Sequence, residues 1–160
     1  MSEINSKIKS IPFKNVSDIL DFAIKSEENA NRFYSEWAKK VEKKSLKTVF
    51  EELAEEELGH KDFLLRIQKG ETLNPTNEEI ADLKISDYMV EVKASVDMDY
   101  QDALTVAMHR EKMAFKLYSN LSEMTADENL KSTFKMLAQQ EAKHKLRLEL
   151  IYDDDILREN

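Results

Sequence analysis

The sequence predicts an all-α protein of four long helices arranged as two antiparallel pairs, and three observations carry that expectation. Helix breakers are scarce, with two glycines and two prolines in 160 residues. Apolar residues recur at alternating steps of three and four along four separate runs, the period of a helix seam packed in a bundle. The second pair of runs then repeats the first at a constant offset of 84 positions without a gap.

The first run reads Leu20, Ala23, Glu27, Ala30, Tyr34, Trp37 and Val41, and predicts a helix over about Val16–Lys43. Asn15 is a suitable N-cap for it, with Asp18 three residues on, near the positive helix end. The second run, Leu46, Phe50, Leu53, Glu57, His60, Leu64 and Ile67, predicts Ser45–Lys69, with Gly70 as its stop. Leu104, Ala107, Glu111, Ala114, Tyr118 and Leu121 predict Tyr100–Glu123, capped by Asp99. Leu130, Phe134, Leu137, Glu141, His144, Leu148 and Ile151 predict Ala126–Tyr152, opened by a capping box in Thr125–Glu128. Residues 70–99 form the crossover between the halves, where Pro75, Thr76 and Glu79 suggest a turn and a short helix. The whole chain, 1–160, is read as one domain.

Composition narrows the function. The net charge of −8 argues against nucleic acid and anionic membranes as partners. No run approaches the ~18 apolar residues of a membrane helix. The absence of cysteine excludes disulfides, thiolate metal sites and iron–sulfur clusters from this chain, and fits a cytoplasmic protein. No signal-peptide pattern stands at the start.

Against that background, six polar residues occupy seam positions that should be apolar: Glu27, Glu57, His60, Glu111, Glu141 and His144. A buried ionised carboxylate without compensation costs several kcal/mol. Four together require cations, and the seams hold too few basic side chains to supply them. Two divalent ions would balance four carboxylates. Glu57 and His60, three apart, project from one helix face, as do Glu141 and His144. Glu27 and Glu111 add one carboxylate each from the other two helices. This is the ligand pattern of dinuclear carboxylate sites in helix bundles. Oxygen-rich ligation with two imidazoles suits iron, with manganese as the alternative, better than zinc or copper.

The segments "AIKSEENANRFY", "FEELAEEELGH" and "FKMLAQQEAKH" resemble the ferritin-like superfamily, specifically its rubrerythrin-like di-iron carboxylate proteins. The likeness runs from Val16 to about Tyr152. It implies a ferritin-like four-helix bundle holding two iron ions. By that resemblance Glu57 and Glu141 bridge or chelate the metals, Glu27 and Glu111 are terminal ligands, and His60 and His144 each bind one ion. It also implies a homodimer and an oxidoreductase whose centre reacts with hydrogen peroxide or dioxygen. An external protein would supply electrons, and oxidation of ferrous iron is a close variant. The alternative is an iron- or manganese-handling protein with little turnover, and a purely structural bundle is a third reading.

Three features differ from the family's fuller members. The cysteine-rich rubredoxin-type module has no counterpart here. The extra metal-site glutamate one turn beyond the third-helix ligand is replaced by Ala114, matched by Ala30 in the first half. These alanines leave room for a diatomic ligand. After the fourth run stands "DDDILREN", so a fifth helix and a storage shell are not expected.

Other residues have plainer readings. Tyr34 and Tyr118, seven residues beyond Glu27 and Glu111, are core tyrosines or hydrogen-bond donors to a ligand carboxylate, with an electron-transfer role a further option. Glu56 and Gln140 are outer-face residues, or else hold a histidine ring nitrogen. His109 is a surface residue, and Trp37 and the methionines are core or interface. Gly59, opposite Lys143 in the repeat, is a tolerated surface change or a local bulge.

Overall fold

The computed structural model describes residues 16–70 and 99–157. Among them are four α-helices and no strand: α1 (Val16–Lys40), α2 (Lys44–Gly70), α3 (Tyr100–Met124) and α4 (Glu128–Tyr152). A π-helical turn, Asp153–Leu157, continues α4. The Asn15 cap and nearly all of the crossover, Pro75, Thr76 and Glu79 included, lie outside the described residues. No described helix is long and apolar enough to cross a membrane.

α1 and α2 belong to one compact unit, α3 and α4 to a second. Within each, the two helices run antiparallel. Gln68 Nε2 donates to Asp21 Oδ1 at 2.7 Å, and Asn31 Nδ2 donates to the Ala54 carbonyl at 2.7 Å, so positions rise along α1 as they fall along α2. In the second unit, Gln101 Nε2 donates to the Tyr152 hydroxyl at 3.1 Å, and the Tyr100 hydroxyl donates to Asp155 Oδ2 at 3.0 Å.

The three-and-four spacing is the buried face. Leu20, Ala23, Glu27, Ala30, Tyr34 and Trp37 are all buried on α1, as are Phe50, Leu53, Glu57, His60, Leu64 and Ile67 on α2. On α3 and α4 the same holds from Leu104 to Leu121 and from Leu130 to Leu148, with Ala114 half-buried. Val41, Leu46 and Ile151, at the ends of the runs, are half-buried.

The end of α1 and the start of α4 differ most from the sequence expectation. α1 stops at Lys40, before Lys43, and residues 41–43 turn the chain. Val41 still donates to the Trp37 carbonyl, while the Lys43 carbonyl already accepts from Leu46 and Lys47 at the start of α2. Backbone pairing thus passes from one helix to the next without glycine or proline. At α4 the proposed capping box does not form. Thr125 is buried and closes α3, its hydroxyl donating to the Leu121 carbonyl at 2.6 Å. The cap is Asp127, whose Oδ1 accepts from Asn129 and Leu130 backbone N–H groups. Asp127 stands two and three residues before these N–H groups, the spacing at which an N-cap side chain reaches them. Asp99 caps α3 as expected, accepting from the Asp102 N–H at 2.7 Å.

Gly59 sits in unbroken α-helix, exposed, and a Cβ built there meets nothing within 4 Å. No bulge forms. Gly59→Ala is therefore expected to raise stability by about 1 kcal/mol, read as a higher urea midpoint with unchanged slope. A lowered midpoint would show that the glycine has a structural role after all.

Candidate metal centre

Glu57 and His60 stand one turn apart on α2, and Glu27 lies across from them on α1 because the antiparallel register pairs Glu28 with Lys61 (3.4 Å). Nδ1 of His60 lies 3.3 Å from Glu57 Oε1 and 3.6 Å from Glu27 Oε2. The three residues are between 2% and 3% exposed. One ligand atom from each falls within 4.8 Å of the other two.

The second unit repeats the arrangement. Nδ1 of His144 lies 3.5 Å from Glu111 Oε2 and 3.5 Å from Glu141 Oε1, and all three residues are buried. One donor atom from each again falls within 4.8 Å of the others. The six residues singled out in the sequence are thus brought together as two triads, one per helix pair.

Electrostatics fit a cation in the first triad. Burial alone would lower the proton affinity of His60, but Glu27 and Glu57 beside it outweigh that and raise its pKa from 6.5 to about 11. Two carboxylates and one imidazolium leave a net charge of −1. A divalent ion in place of the proton, with neutral imidazole, brings the triad to zero. The donor set, two carboxylate groups and an imidazole nitrogen facing one another away from water, is what a transition-metal position requires.

Tyr34 and Tyr118 are each 1% exposed. The Tyr34 ring stacks on Phe50 (centroids 6.2 Å apart, planes 21° apart) and meets Phe33 edge-on at 5.7 Å. Both are core tyrosines by position. Glu56 is exposed and Gln140 half-buried, and His109 is exposed. Trp37 is buried, with the Lys40 ammonium 4.9 Å from its ring centroid. Met113 is buried too.

Sequence reasoning missed the residues that brace the first triad: Asn31, the Glu28–Lys61 pair and the Asp21–Gln68 bond. Their signal was polar residues beside the seam, which is meaningful only once the rotation of each helix about its axis is known.

The family model for rubrerythrin matches residues 18–152, most of the chain and both triads. The chain belongs to the rubrerythrin family. Two solved structures are similar over nearly their whole length. One, from Thermotoga maritima, is assigned as a ferritin-like diiron-carboxylate protein. It is 25% identical with a TM-score of 0.70, over 91% of this chain and 98% of that one. The other, a hypothetical protein from Pyrococcus furiosus, is 27% identical with a TM-score of 0.70, over 87% of this chain and 89% of that one. No curated protein matches. The expected fold class, all-α and ferritin-like, is the one this rubrerythrin-family chain has. Ala30 is buried at 7% exposure, and Ala114, one turn beyond Glu111, is half-buried.

Proposed function

We propose that the two triads together hold a dinuclear iron centre and that the protein is an oxidoreductase acting on hydrogen peroxide or dioxygen. The observation that carries the reading is the duplicated buried Glu/Glu/His set, each with a histidine nitrogen 3.3–3.6 Å from two carboxylates. When bound, the iron ions supply the electrons and the Lewis acidity of the reaction. The chain's own part is to bind and orient. Glu57 and Glu141 act as bridging or chelating carboxylates, Glu27 and Glu111 as terminal ones, and His60 and His144 as one nitrogen ligand each. Seams of Leu53, Leu64, Leu137 and Leu148, all 0% exposed, keep water from the triads. Tyr34 and Tyr118 donate hydrogen bonds that orient ligand carboxylates. Small side chains at Ala30 and Ala114 leave space for a diatomic oxidant. Electrons return from an external donor protein, since the chain has no cysteine to hold a cluster of its own. Ferrous iron as both substrate and reductant is a variant of the same chemistry. We place the protein in the cytoplasm as a homodimer.

Anaerobic reconstitution with ferrous ion tests the reading. The expected result is about two irons per chain, followed by a near-ultraviolet iron–oxygen absorption when peroxide or air is admitted. Turnover with a chemical reductant then separates the activities: faster consumption of peroxide supports a peroxidase, and faster consumption of dioxygen an oxidase or ferroxidase. Metal bound at that stoichiometry without turnover would instead identify an iron- or manganese-handling protein. Absence of stoichiometric metal would overturn both.

A further inference from the structure

The two halves are alike on their buried seams and opposite in charge outside them. Around the second triad, residues 108–120 of α3 and 131–147 of α4 hold eight lysine and arginine side chains. Glu111 and Glu141, both buried, are the only acidic residues of these spans. The equivalent spans 84 positions earlier, 24–36 and 47–63, hold seven acidic residues besides Glu27 and Glu57, and four lysines and arginines. Glu51, Glu52, Glu55 and Glu56 of α2 become Lys135, Met136, Gln139 and Gln140 of α4, and Glu28 of α1 becomes Lys112 of α3. A basic face thus stands on one helix pair of a chain whose net charge is −8.

The basic side chains are at the surface, with apolar ones among them. Lys112, Lys116, Lys135 and Lys143 are exposed. Phe115 is 40% exposed and Leu146 56%. Helical spacing puts Lys112, Phe115 and Lys116 on one side of α3, and Lys135, Lys143 and Leu146 on one stripe of α4. The register is that of the first pair, since His144 meets Glu111 at 3.5 Å as His60 meets Glu27 at 3.6 Å. Lys112 and Lys145 directly follow these ligands, at the positions where Glu28 and Lys61 meet at 3.4 Å in the first pair, so the two stripes adjoin. Lys145 pairs with Glu149 on its own helix, which leaves the charge of the face to the other lysines. Aromatic and aliphatic groups within a cationic rim make a protein-binding surface. A long polyanion would run past this face and meet the negative remainder of the chain, whereas a compact acidic protein would not.

We propose that the face of α3 and α4 formed by Lys112, Phe115, Lys116, Lys135 and Lys143 docks the external electron donor, a one-electron carrier protein that is acidic at its own contact surface. This rests on the oxidoreductase reading above, which requires such a donor. A partner seated there stands on the order of 10 Å, one helix thickness, from the second triad. At each encounter the carrier loses one electron and one ferric ion gains it, becoming ferrous. Two encounters reduce the pair. Complementary charge raises the rate of encounter more than the affinity, which suits a carrier that must leave after each transfer. The glutamates of α2 repel the same partner, so charge selects the face as well as the protein.

Stopped-flow reduction of the iron-loaded, oxidised full chain tests the proposal. The probes are reduced plant-type two-iron ferredoxin, an acidic carrier, and reduced methyl viologen, a small cation. Lys112→Glu with Lys143→Glu should slow reduction by ferredoxin at low salt at least about tenfold. The milder Lys112→Gln with Lys143→Gln should slow it by a smaller factor. Lys25→Glu with Lys47→Glu makes the same change of net charge at exposed sites of the first pair and should cost less than about twofold. The wild-type rate should fall as salt is added, and none of the variants should be reduced more slowly by methyl viologen. A second readout needs no iron. The metal-free chain should bind immobilised ferredoxin, eluting in a salt gradient with Lys25→Glu/Lys47→Glu and after Lys112→Glu/Lys143→Glu. Equal rates and equal elution of the two glutamate variants, or a wild-type rate indifferent to salt, would overturn the docking surface and leave the metal reading intact. Lysine-dependent binding of single-stranded oligothymidylate, with no lysine effect on ferredoxin, would make the face a nucleic-acid site instead. A chain that takes up no iron, or iron that neither probe reduces, would overturn both readings.

Discussion

Replacing Glu27, Glu57 and His60 together by leucine is expected to abolish metal at that triad and yet raise the stability of the metal-free protein, by about 1–4 kcal/mol. All three side chains are taken almost wholly out of water, and the attraction that holds the proton on His60 does not also repay the desolvation and mutual repulsion of the two carboxylates. Leucine has a volume near that of glutamate and fills the same seam without the penalty. A single His60→Ala change should do the opposite. It leaves Glu27 and Glu57 facing each other without the imidazolium now 3.3–3.6 Å from both, at a cost of about 3–5 kcal/mol. Metal reverses the ranking. At a free-ion concentration of about one thousand times Kd, the wild-type chain gains about 4.1 kcal/mol that the leucine variant cannot, enough to offset the whole of that advantage. Urea denaturation with chelator and with saturating metal checks all three. A metal-free triple variant several kcal/mol less stable than wild type would show that the triad holds the fold together by itself, contrary to a site kept for ligand binding.

That contrast also explains why so much of the site was legible in the sequence. A glutamate or histidine on a seam otherwise filled by Leu53, Leu64, Leu137 and Leu148 conflicts with local patterning, and such conflicts concentrate where function requires them. Repetition of the conflict at Glu57/Glu141 and His60/His144 removes the ordinary explanation of a solvated glutamate in a glutamate-rich run. Helix phase then brings the glutamates and the histidine of each pair together, because the period that buries leucines also buries these groups. What could not be read depends on short-range competition or on helix rotation. The choice of Asp127 over Thr125 as cap was settled by reach: Asp127 Oδ1 accepts from the Asn129 and Leu130 N–H groups, while the Thr125 side chain turns back to the Leu121 carbonyl. The end of α1 carried no glycine or proline to mark it, only a handover of carbonyl acceptors at Trp37 and Lys43. The π-helical turn after α4 relies on the Tyr100–Asp155 bond between residues 55 apart in the chain, and no local signal encodes that. The cross-helix contacts of Asn31 and Lys61 fall in the same class: ordinary polar residues flanking the seam, brought to their partners by the register of two helices.

Metal affinity at the first triad is expected to rise with pH, by about tenfold per unit between pH 6.5 and 11 from the His60 proton alone. His60 binds an ion only as neutral imidazole, and Glu27 and Glu57 hold its proton up to about pH 11 in the metal-free protein. Each ion bound in that window therefore displaces one proton from His60. The stability of the metal-free form moves the other way. A folded-state pKa above the unfolded value of 6.5 means that the proton's stabilisation is fully present below pH 6.5. It declines as pH rises and is gone above about 11. Both trends come from the same His60 proton, so the drop in melting temperature on chelation should be larger at about pH 8.5 than at about pH 6.5. Calorimetric titration in buffers of different ionisation enthalpy measures the proton release directly, and thermal melts with and without chelator measure its consequence. Affinity that stays level across those two units, with no proton released, would mean that His60 is already neutral in the metal-free chain and that the carboxylates beside it are compensated by something other than the imidazole.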